Sequence, residues 1–207
     1  IDKPAPPTLP TAYENADRLR KLSDIFTAAI RDDNLPSGPG DLARMAKNVV
    51  GGDPNTYPDD IHDAVEIAAN RIMRETIPPV DRSVPLAPQI EAALSIEQRL
   101  GARRRSLETY GKQQFSTPLP IAVAAAHAAD VRGGDTVLEP TAGTGNLVEP
   151  IIGTERVKIR VNEISPRRAE ALRILGHEPT SADFFAMDPR KGGGRPTVII
   201  ANFPWGK

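Results

Sequence analysis

The fold is decided by one stretch, Val137-Leu138-Glu139-Pro140-Thr141-Ala142-Gly143-Thr144-Gly145-Asn146. An apolar run leads into an acidic residue, then a Gly-x-Gly loop, and then a segment expected to be helical. Glycines let the backbone turn tightly and let a ligand approach the main chain. The first N–H groups of a following helix would be available to that ligand. A tight strand–helix turn without a ligand is the other interpretation of the same pattern.

Strands and helices alternate on the C-terminal side of Gly111. Strands are expected over 136–138, 157–161 and 197–201, with a weaker one over 179–182. A helix is expected over 166–175, because Pro166 suits the first helical position and Gly176 follows the last. This alternation predicts an α/β fold with a doubly wound parallel sheet.

The first 110 residues have a different pattern. Four prolines within residues 1–10 predict an extended leader. Residues 11–110 are expected to form an all-helical domain, since apolar residues recur there at helical spacing. The helices are expected to end near 31, 50, 77 and 110. Thr11-Ala12-Tyr13-Glu14 matches a capping box and predicts that the first helix begins there. The remaining domain is expected over 111–207.

The composition excludes several kinds of chemistry. The 207 residues include no cysteine, which removes disulfides, thiolate metal sites and thiol nucleophiles. The three histidines are too scattered for a His-based metal site, so no metal is expected. A net charge of −1 gives no general attraction to nucleic acid. No apolar run reaches the roughly 18 residues of a membrane span, so a cytoplasmic protein without a membrane partner is expected.

Polar and aromatic residues follow the ends of the expected strands. Glu163 ends the second strand, where an acid can bond the ribose hydroxyls of a nucleoside cofactor. Asp183 and Phe184 follow the third, where they can bond and cover an adenine ring. The last strand leads into Asn202-Phe203-Pro204-Trp205, which offers an amide oxygen and a stacking face. A strand-end charge, core phenylalanines and a buried Trp are the plainer interpretations. NAD binding is disfavoured because Leu147-Val148 occupy the region of the third fingerprint glycine.

Together these segments resemble the S-adenosylmethionine-dependent amino-methyltransferases that modify adenine N6 in DNA. Residues 139–145 resemble the family's (D/E)-P-x-A-G-(T/S)-G motif, and Phe115-Ser116-Thr117-Pro118 resembles its (F/Y)-x-T-P segment. Residues 202–205 resemble its catalytic N-P-P-(Y/F/W) turn. The resemblance covers about residues 111–207. More loosely, the stretch is similar to methyltransferase regions fused to strawberry-notch-type helicases of large phage and plasmid proteins.

The resemblance implies a Rossmann-like methyltransferase sheet, S-adenosylmethionine as cofactor and DNA as partner. The cofactor-binding residues it implies are Phe115, Ser116, Thr117, Pro118, Glu139, Pro140, Thr141, Ala142, Gly143, Gly145, Asn146, Leu147, Glu163, Ile164, Asp183 and Phe184. The catalytic residues it implies are Asn202, Phe203, Pro204 and Trp205. The methyl would pass directly to N6 of a flipped adenine, in a restriction–modification or anti-restriction setting.

Two departures from the family pattern matter. Phe203 stands where the family has its first proline; it still supplies a carbonyl but does not fix φ. The family sheet continues with strands that are absent here, and the chain does not begin with Met. We therefore expect a piece of a longer protein, with a helicase as one candidate for the rest. A protein-glutamine N-methyltransferase and a non-catalytic cofactor-binding module of a larger nucleic-acid machine are the alternatives.

Overall fold

The computed structural model describes residues 12–80, 83–100, 116–190 and 194–203. Within these ranges the chain is a mixed α/β protein with six α-helices and three strands. The elements are α1 (Ala16–Arg31), α2 (Pro39–Val50), α3 (Pro58–Thr76), α4 (Leu86–Arg99), α5 (Leu119–Ala129), β1 (Thr136–Glu139), β2 (Lys158–Val161), α6 (Pro166–Ile174) and β3 (Val198–Ile199). Short 3-10 turns cover Pro54–Thr56, Glu149–Ile151 and Phe184–Ala186.

The three strands form one parallel sheet in the order β2-β1-β3. The central strand β1 pairs Val137 with Ile159 on one side and with Val198 on the other. The chain therefore leaves β1 toward one side and later returns to its opposite side. In open parallel sheets, such a switch point leaves a crevice at the carboxyl ends of the strands. The weak strand expected over 179–182 is reduced to one parallel bridge, between Asn162 and Thr180.

The prediction of a helix directly after the glycine loop is wrong. The chain makes only the 3-10 turn Glu149–Ile151 there. A helix beginning after Gly145 would carry Pro150 in its interior, where proline removes a backbone hydrogen bond and clashes. The loop closes on itself instead: the Gly145 N–H donates to the Ala142 carbonyl (2.8 Å), and the Val148 N–H donates to the Gly145 carbonyl (2.9 Å).

The capping box expected at the first helix is also wrong. Helix α1 begins at Ala16, with Asn15 at the N-cap position and no side-chain cap. Tyr13 is bound elsewhere, because its hydroxyl donates to Asp60 of α3 (2.5 Å). Arg18 donates to the other Asp60 oxygen (2.5 Å), which ties the start of α1 to α3. Thr11, the leader 1–10 and the second part of the helix expected over 87–110 lie outside the described residues.

One hydrophobic core joins the helices to the sheet. Leu22 and Phe26 of α1 pack with Val65 of α3, and the same cluster includes Val137 of β1 and Leu172 of α6. Helix α3 also packs directly against α6 and against the turn that follows the glycine loop. The division into residues 11–110 and 111–207 stays a prediction, but α3 lies directly against the segments that carry the expected site.

A close contact fixes the path between α3 and the sheet. The Val80 N–H donates to the Pro150 carbonyl (2.9 Å). Gly153 has φ of +94°, and a Cβ at this position would lie 2.8 Å from Cγ of Pro79. Gly176 has a similar φ of +89° but open space around it.

We predict that Gly153→Ala destabilises the protein more than Gly176→Ala. Left-handed backbone alone costs a residue with a Cβ about 1–2 kcal/mol. The contact with Pro79 adds about 1–3 kcal/mol at Gly153, as overpacking does elsewhere. Urea unfolding followed by circular dichroism measures both variants. Equal losses of unfolding free energy would show that Pro79 does not hold this junction.

Candidate functional site

A cleft of about 1220 Å³ opens beside the carboxyl ends of β1 and β2 and the segment after β3. The predicted site residues that line it are Ser116, Thr117, Glu139, Pro140, Thr141, Ala142, Gly143, Asn146, Leu147, Glu163, Ile164, Asp183, Phe184, Asn202 and Phe203. Pro118 and Gly145 are not among its lining residues. Phe115, Pro204 and Trp205 lie outside the described residues. Segments far apart in the sequence thus meet in one cavity.

Part of the lining was not predicted from the sequence. The additional lining residues are Thr144, Asn162, Ser165, Pro166, Arg168, Ala182 and Phe185. Most of them are direct neighbours of predicted residues, so their position in the chain was a usable signal. Arg168 is different, because it lies in the first turn of α6 and is buried. Only the packing of α6 against α3 brings its side chain to the cleft.

Glu163 joins the end of β2 to the glycine loop. Its Oε2 accepts from the Gly143 N–H (2.8 Å) and its Oε1 from the Ser165 N–H (2.7 Å). Burial raises the pKa of Glu163, and these two bonds together with Arg168 act in the opposite direction. Each carboxylate oxygen has a second acceptor position. Glu163 can therefore hold the loop and accept from two ligand hydroxyls.

Glu139 is a buried acid that forms no ion pair with a cation in the part of the chain that the structure describes. Its side chain lines the cleft, the residue is 2% exposed, and its Oε2 has no hydrogen-bond partner among the described residues. Burial first, and then the nearby Glu163 and Glu149, raise the pKa of Glu139 well above its usual value. A positive charge in the cleft would favour the ionised form. The site is therefore suited to a cationic ligand.

The two glycines of the loop are required for different reasons. Gly143 has φ of +57° and lines the cleft. Gly145 has φ of +92°, and a Cβ there would lie 3.1 Å from Cδ2 of Leu172 in α6. Gly145 therefore lets the loop approach α6, which explains why it is needed without lining the cavity.

Helix α3 supports the glycine loop with buried polar side chains. Glu66 accepts from the Thr144 hydroxyl (2.6 Å) and, through the same oxygen, from the Ser116 hydroxyl. Asn70 donates from Nδ2 to the Thr144 carbonyl (3.0 Å) and to Oδ1 of Asn146 (2.8 Å). Neither Glu66 nor Asn70 was predicted as a site residue from the sequence. Their four-residue spacing was a signal, but it equally fits an exposed helix face.

A buried charge cluster anchors α6 to α3. Arg167 donates from Nε to Asp63 (2.7 Å), and Nε of Arg168 lies 3.9 Å from the other Asp63 oxygen. Burial would raise the pKa of Asp63, but Arg168, His62 and Arg167 together hold it well below its usual range. The first turn of α6, which includes Arg168, is thereby held at the cleft wall.

Aromatic rings form one side of the cleft mouth. Asp183 accepts from the Phe185 N–H (3.0 Å) and so caps the turn Phe184–Ala186. The Phe184 ring centroid lies 4.7 Å from that of Phe203 and 5.5 Å from that of Phe185. Phe185 is 93% exposed. A large exposed apolar ring beside a cavity offers a stacking surface to a planar ligand.

Asn202 lies beside two other predicted segments. The side-chain Nδ2 of Asn202 donates to the Thr117 hydroxyl oxygen (3.2 Å), and the backbone carbonyl of Asn202 accepts from the Thr141 hydroxyl (3.4 Å). The first residue of the predicted catalytic turn therefore contacts both the segment before α5 and the glycine loop. An amide there can accept from an amine that enters the cleft.

No protein-family model, no curated protein and no solved structure matches the chain. Over the described ranges, none of the helices is long and apolar enough to cross a membrane. The same residues contain no group of three or more histidines and acids placed to hold a metal ion. The function is therefore to be inferred from the cleft itself.

We predict that Glu139→Gln stabilises the ligand-free protein at about pH 8. Because the pKa of Glu139 is raised on folding, its ionisation disfavours the folded state as pH rises through that raised value. The amide removes this cost, and Tm should rise by about 2–4 °C, equivalent to about 1 kcal/mol in a chain of this size.

The gain should disappear below about pH 4, where glutamate is neutral in both states. Thermal melts of the two proteins across this pH range measure the difference. A variant that melts below the wild type at every pH would contradict the assignment of Glu139 as an uncompensated acid.

Proposed function

We propose that the chain is an S-adenosylmethionine-dependent methyltransferase acting on the exocyclic N6 amine of adenine in DNA. The observation that carries the proposal is the meeting of Glu163, the glycine loop and Asn202 around one cleft. The parallel order β2-β1-β3, with the bridge at Thr180 beyond β2, supports a doubly wound, Rossmann-like arrangement. The resemblance of residues 111–207 supports the same conclusion.

The residues of the cleft fit the proposed cofactor. The cleft has a volume of about 1220 Å³. This is large enough for a nucleoside with an amino-acid arm, since ligand sites typically measure about 300–1,000 Å³. Glu163 would accept from the ribose hydroxyls, and Asp183 with Phe184 would bond and cover the adenine. Glu139 would face the positive charge of the cofactor, and Thr117 would donate to its carboxylate. S-adenosylmethionine supplies an electrophilic methyl on a sulfonium, so no covalent protein nucleophile is required.

Asn202 and Phe203 would orient the target amine. The amide oxygen of Asn202 and the carbonyl of Phe203 can each accept one N–H of that amine. Two such bonds favour a pyramidal nitrogen with its lone pair directed into the cleft. The chain thus contributes positioning and electrostatic stabilisation rather than acid–base chemistry.

The exposed rings at the cleft mouth support a base as the substrate. Extruding a base from duplex DNA costs about a few kcal/mol. Stacking on an aromatic side chain returns about 1–3 kcal/mol per base. Phe185, at 93% exposure, is available for that contact.

A non-catalytic cofactor-binding module is the second candidate, because Phe203 replaces the family's first proline. The structure offers a substitute for the lost rigidity, since the Phe203 ring packs on Phe184 at 4.7 Å between centroids. This contact holds Phe203 through its side chain instead of through a fixed φ, and it favours an active enzyme over a degenerate one.

We predict that Glu163→Ala weakens S-adenosylmethionine binding at least tenfold, equivalent to about 1.4 kcal/mol. The change removes both the ribose acceptors and the bond to the Gly143 N–H. Isothermal titration calorimetry measures the affinity, with the exposed Glu155→Ala as matched control. Thermal melts of each variant show whether it is folded. A folded Glu163→Ala protein with wild-type affinity would refute this role.

We predict that Asn202→Ala keeps cofactor affinity within about threefold and lowers methyl transfer at least about 100-fold. The amide contacts the incoming amine rather than the cofactor, so only turnover should suffer. Transfer of radiolabelled methyl to unmethylated DNA measures turnover, with the exposed Asn34→Ala as control. Turnover retained in Asn202→Ala would remove the residue from the catalytic set. Turnover absent from the wild type, with cofactor bound, would favour the non-catalytic module.

A further inference from the structure

The Thr117 hydroxyl is the direct partner of the Asn202 amide. Nδ2 of Asn202 donates to Oγ1 of Thr117 at 3.2 Å. Thr117 is 8% exposed and lines the cleft, whereas Asn202 is exposed. An amide has a donor end and an acceptor end of nearly equal size. Whichever end faces Thr117, the opposite end is presented to a ligand.

Thr117 is itself fixed by a chain of hydrogen bonds from α3. Asn146 donates from Nδ2 to the Thr117 carbonyl (2.9 Å), and its Oδ1 accepts from Asn70 (2.8 Å). Asn70 also donates to the Thr144 carbonyl (3.0 Å). Backbone carbonyls only accept, so they fix the orientation of both amides. The position of Thr117 is therefore fixed. Its hydroxyl, in contrast, can still change between donating and accepting a hydrogen bond.

A hydroxyl has one proton and two acceptor positions. If the Thr117 proton is donated to an anionic acceptor in the cleft, its oxygen can only accept from Asn202. The Asn202 amide must then present Nδ2 to Thr117 and its oxygen to the incoming amine. If no such acceptor is bound, the hydroxyl can turn and donate to Asn202, and the amide can rotate.

We propose that the Thr117 hydroxyl couples cofactor binding to the orientation of Asn202. The Thr117 hydroxyl would donate its hydrogen bond to the carboxylate of the cofactor, and its oxygen would then hold Asn202 with the amide oxygen toward the target amine. Thr117 is a positioning residue in this scheme, and the cofactor must bind before the target base is correctly held. The inference rests on the proposed function, because it requires a cofactor that carries a carboxylate.

The test follows the side-chain NH2 signal of Asn202 by nuclear magnetic resonance of the ¹⁵N-labelled chain. Loss of one signal pair in Asn202→Ala assigns it. Two ligands are compared, each at saturation as shown by calorimetry: S-adenosylhomocysteine, which has the carboxylate, and 5′-methylthioadenosine, which lacks the amino-acid arm. We expect the first to shift the Asn202 signal at least about threefold more than the second.

Two variants separate the hydroxyl from the fold. Thr117→Ser keeps the hydroxyl and should keep the response to S-adenosylhomocysteine. Thr117→Val has nearly the same shape without the hydroxyl, and its Asn202 signal should respond equally to both saturating ligands. A Thr117→Val protein that retains the wild-type difference, or a wild type that responds equally to both ligands, would overturn the proposal.

Failure of the proposed function gives a different result. If calorimetry detects neither ligand, the cofactor assignment and the coupling are both refuted. The hydrogen bond itself is still tested in the ligand-free proteins: the Asn202 signal should move in Thr117→Val and stay near its wild-type position in Thr117→Ser. An unmoved signal in Thr117→Val would show that Thr117 does not orient Asn202.

Discussion

A single buried carboxylate, that of Glu66, holds together the segments on which the cleft depends. It accepts hydrogen bonds from the hydroxyl of Thr144 in the glycine loop and from that of Ser116 in the segment before α5. A buried ionisable group is costly unless it is hydrogen-bonded. These two hydroxyls compensate Glu66, and in doing so they fix two loops against one rigid helix. Helix α3 does not line the cleft itself, but it thereby holds in place two segments that do.

The three glutamates around the glycine loop, Glu139, Glu149 and Glu163, differ in how their carboxylates are paired. Glu149 accepts from Arg74 (2.8 Å) and lies 2.7 Å from Nε2 of His177. Glu163 accepts from two backbone N–H groups. Oε2 of Glu139 has no hydrogen-bond partner within the described ranges. The described residues thus satisfy two of the three acids and leave Oε2 of Glu139 unpaired. Under the proposed function, the sulfonium and the ammonium of S-adenosylmethionine would supply the positive charge that Glu139 lacks.

Local patterns predicted much of the fold and most of the described lining of the cleft. The spacing of apolar residues identified the helices, and runs of β-branched residues identified the strands. Both kinds of element could be predicted because they depend on residues close together in the sequence. The prediction of a helix after Gly145 was wrong because Pro150 would lie in its interior. The predicted start of the first helix was wrong because α1 begins only at Ala16, with no side-chain cap at Asn15. The polar face of α3 was not predictable. The residues that Glu66 and Asn70 contact at the cleft lie fifty or more positions away, and the same spacing occurs on solvated helices.

The most direct test of the central claim is a titration of the ¹⁵N-labelled chain with S-adenosylmethionine, followed by nuclear magnetic resonance. If the cleft binds the cofactor, the backbone amide signals of Gly143, Glu163 and Phe184 should shift together with one saturation curve. The signals of the α2 residues, which do not line the cleft, should remain unchanged. Absence of any shift at millimolar cofactor, or shifts confined to residues outside the cleft, would contradict the account.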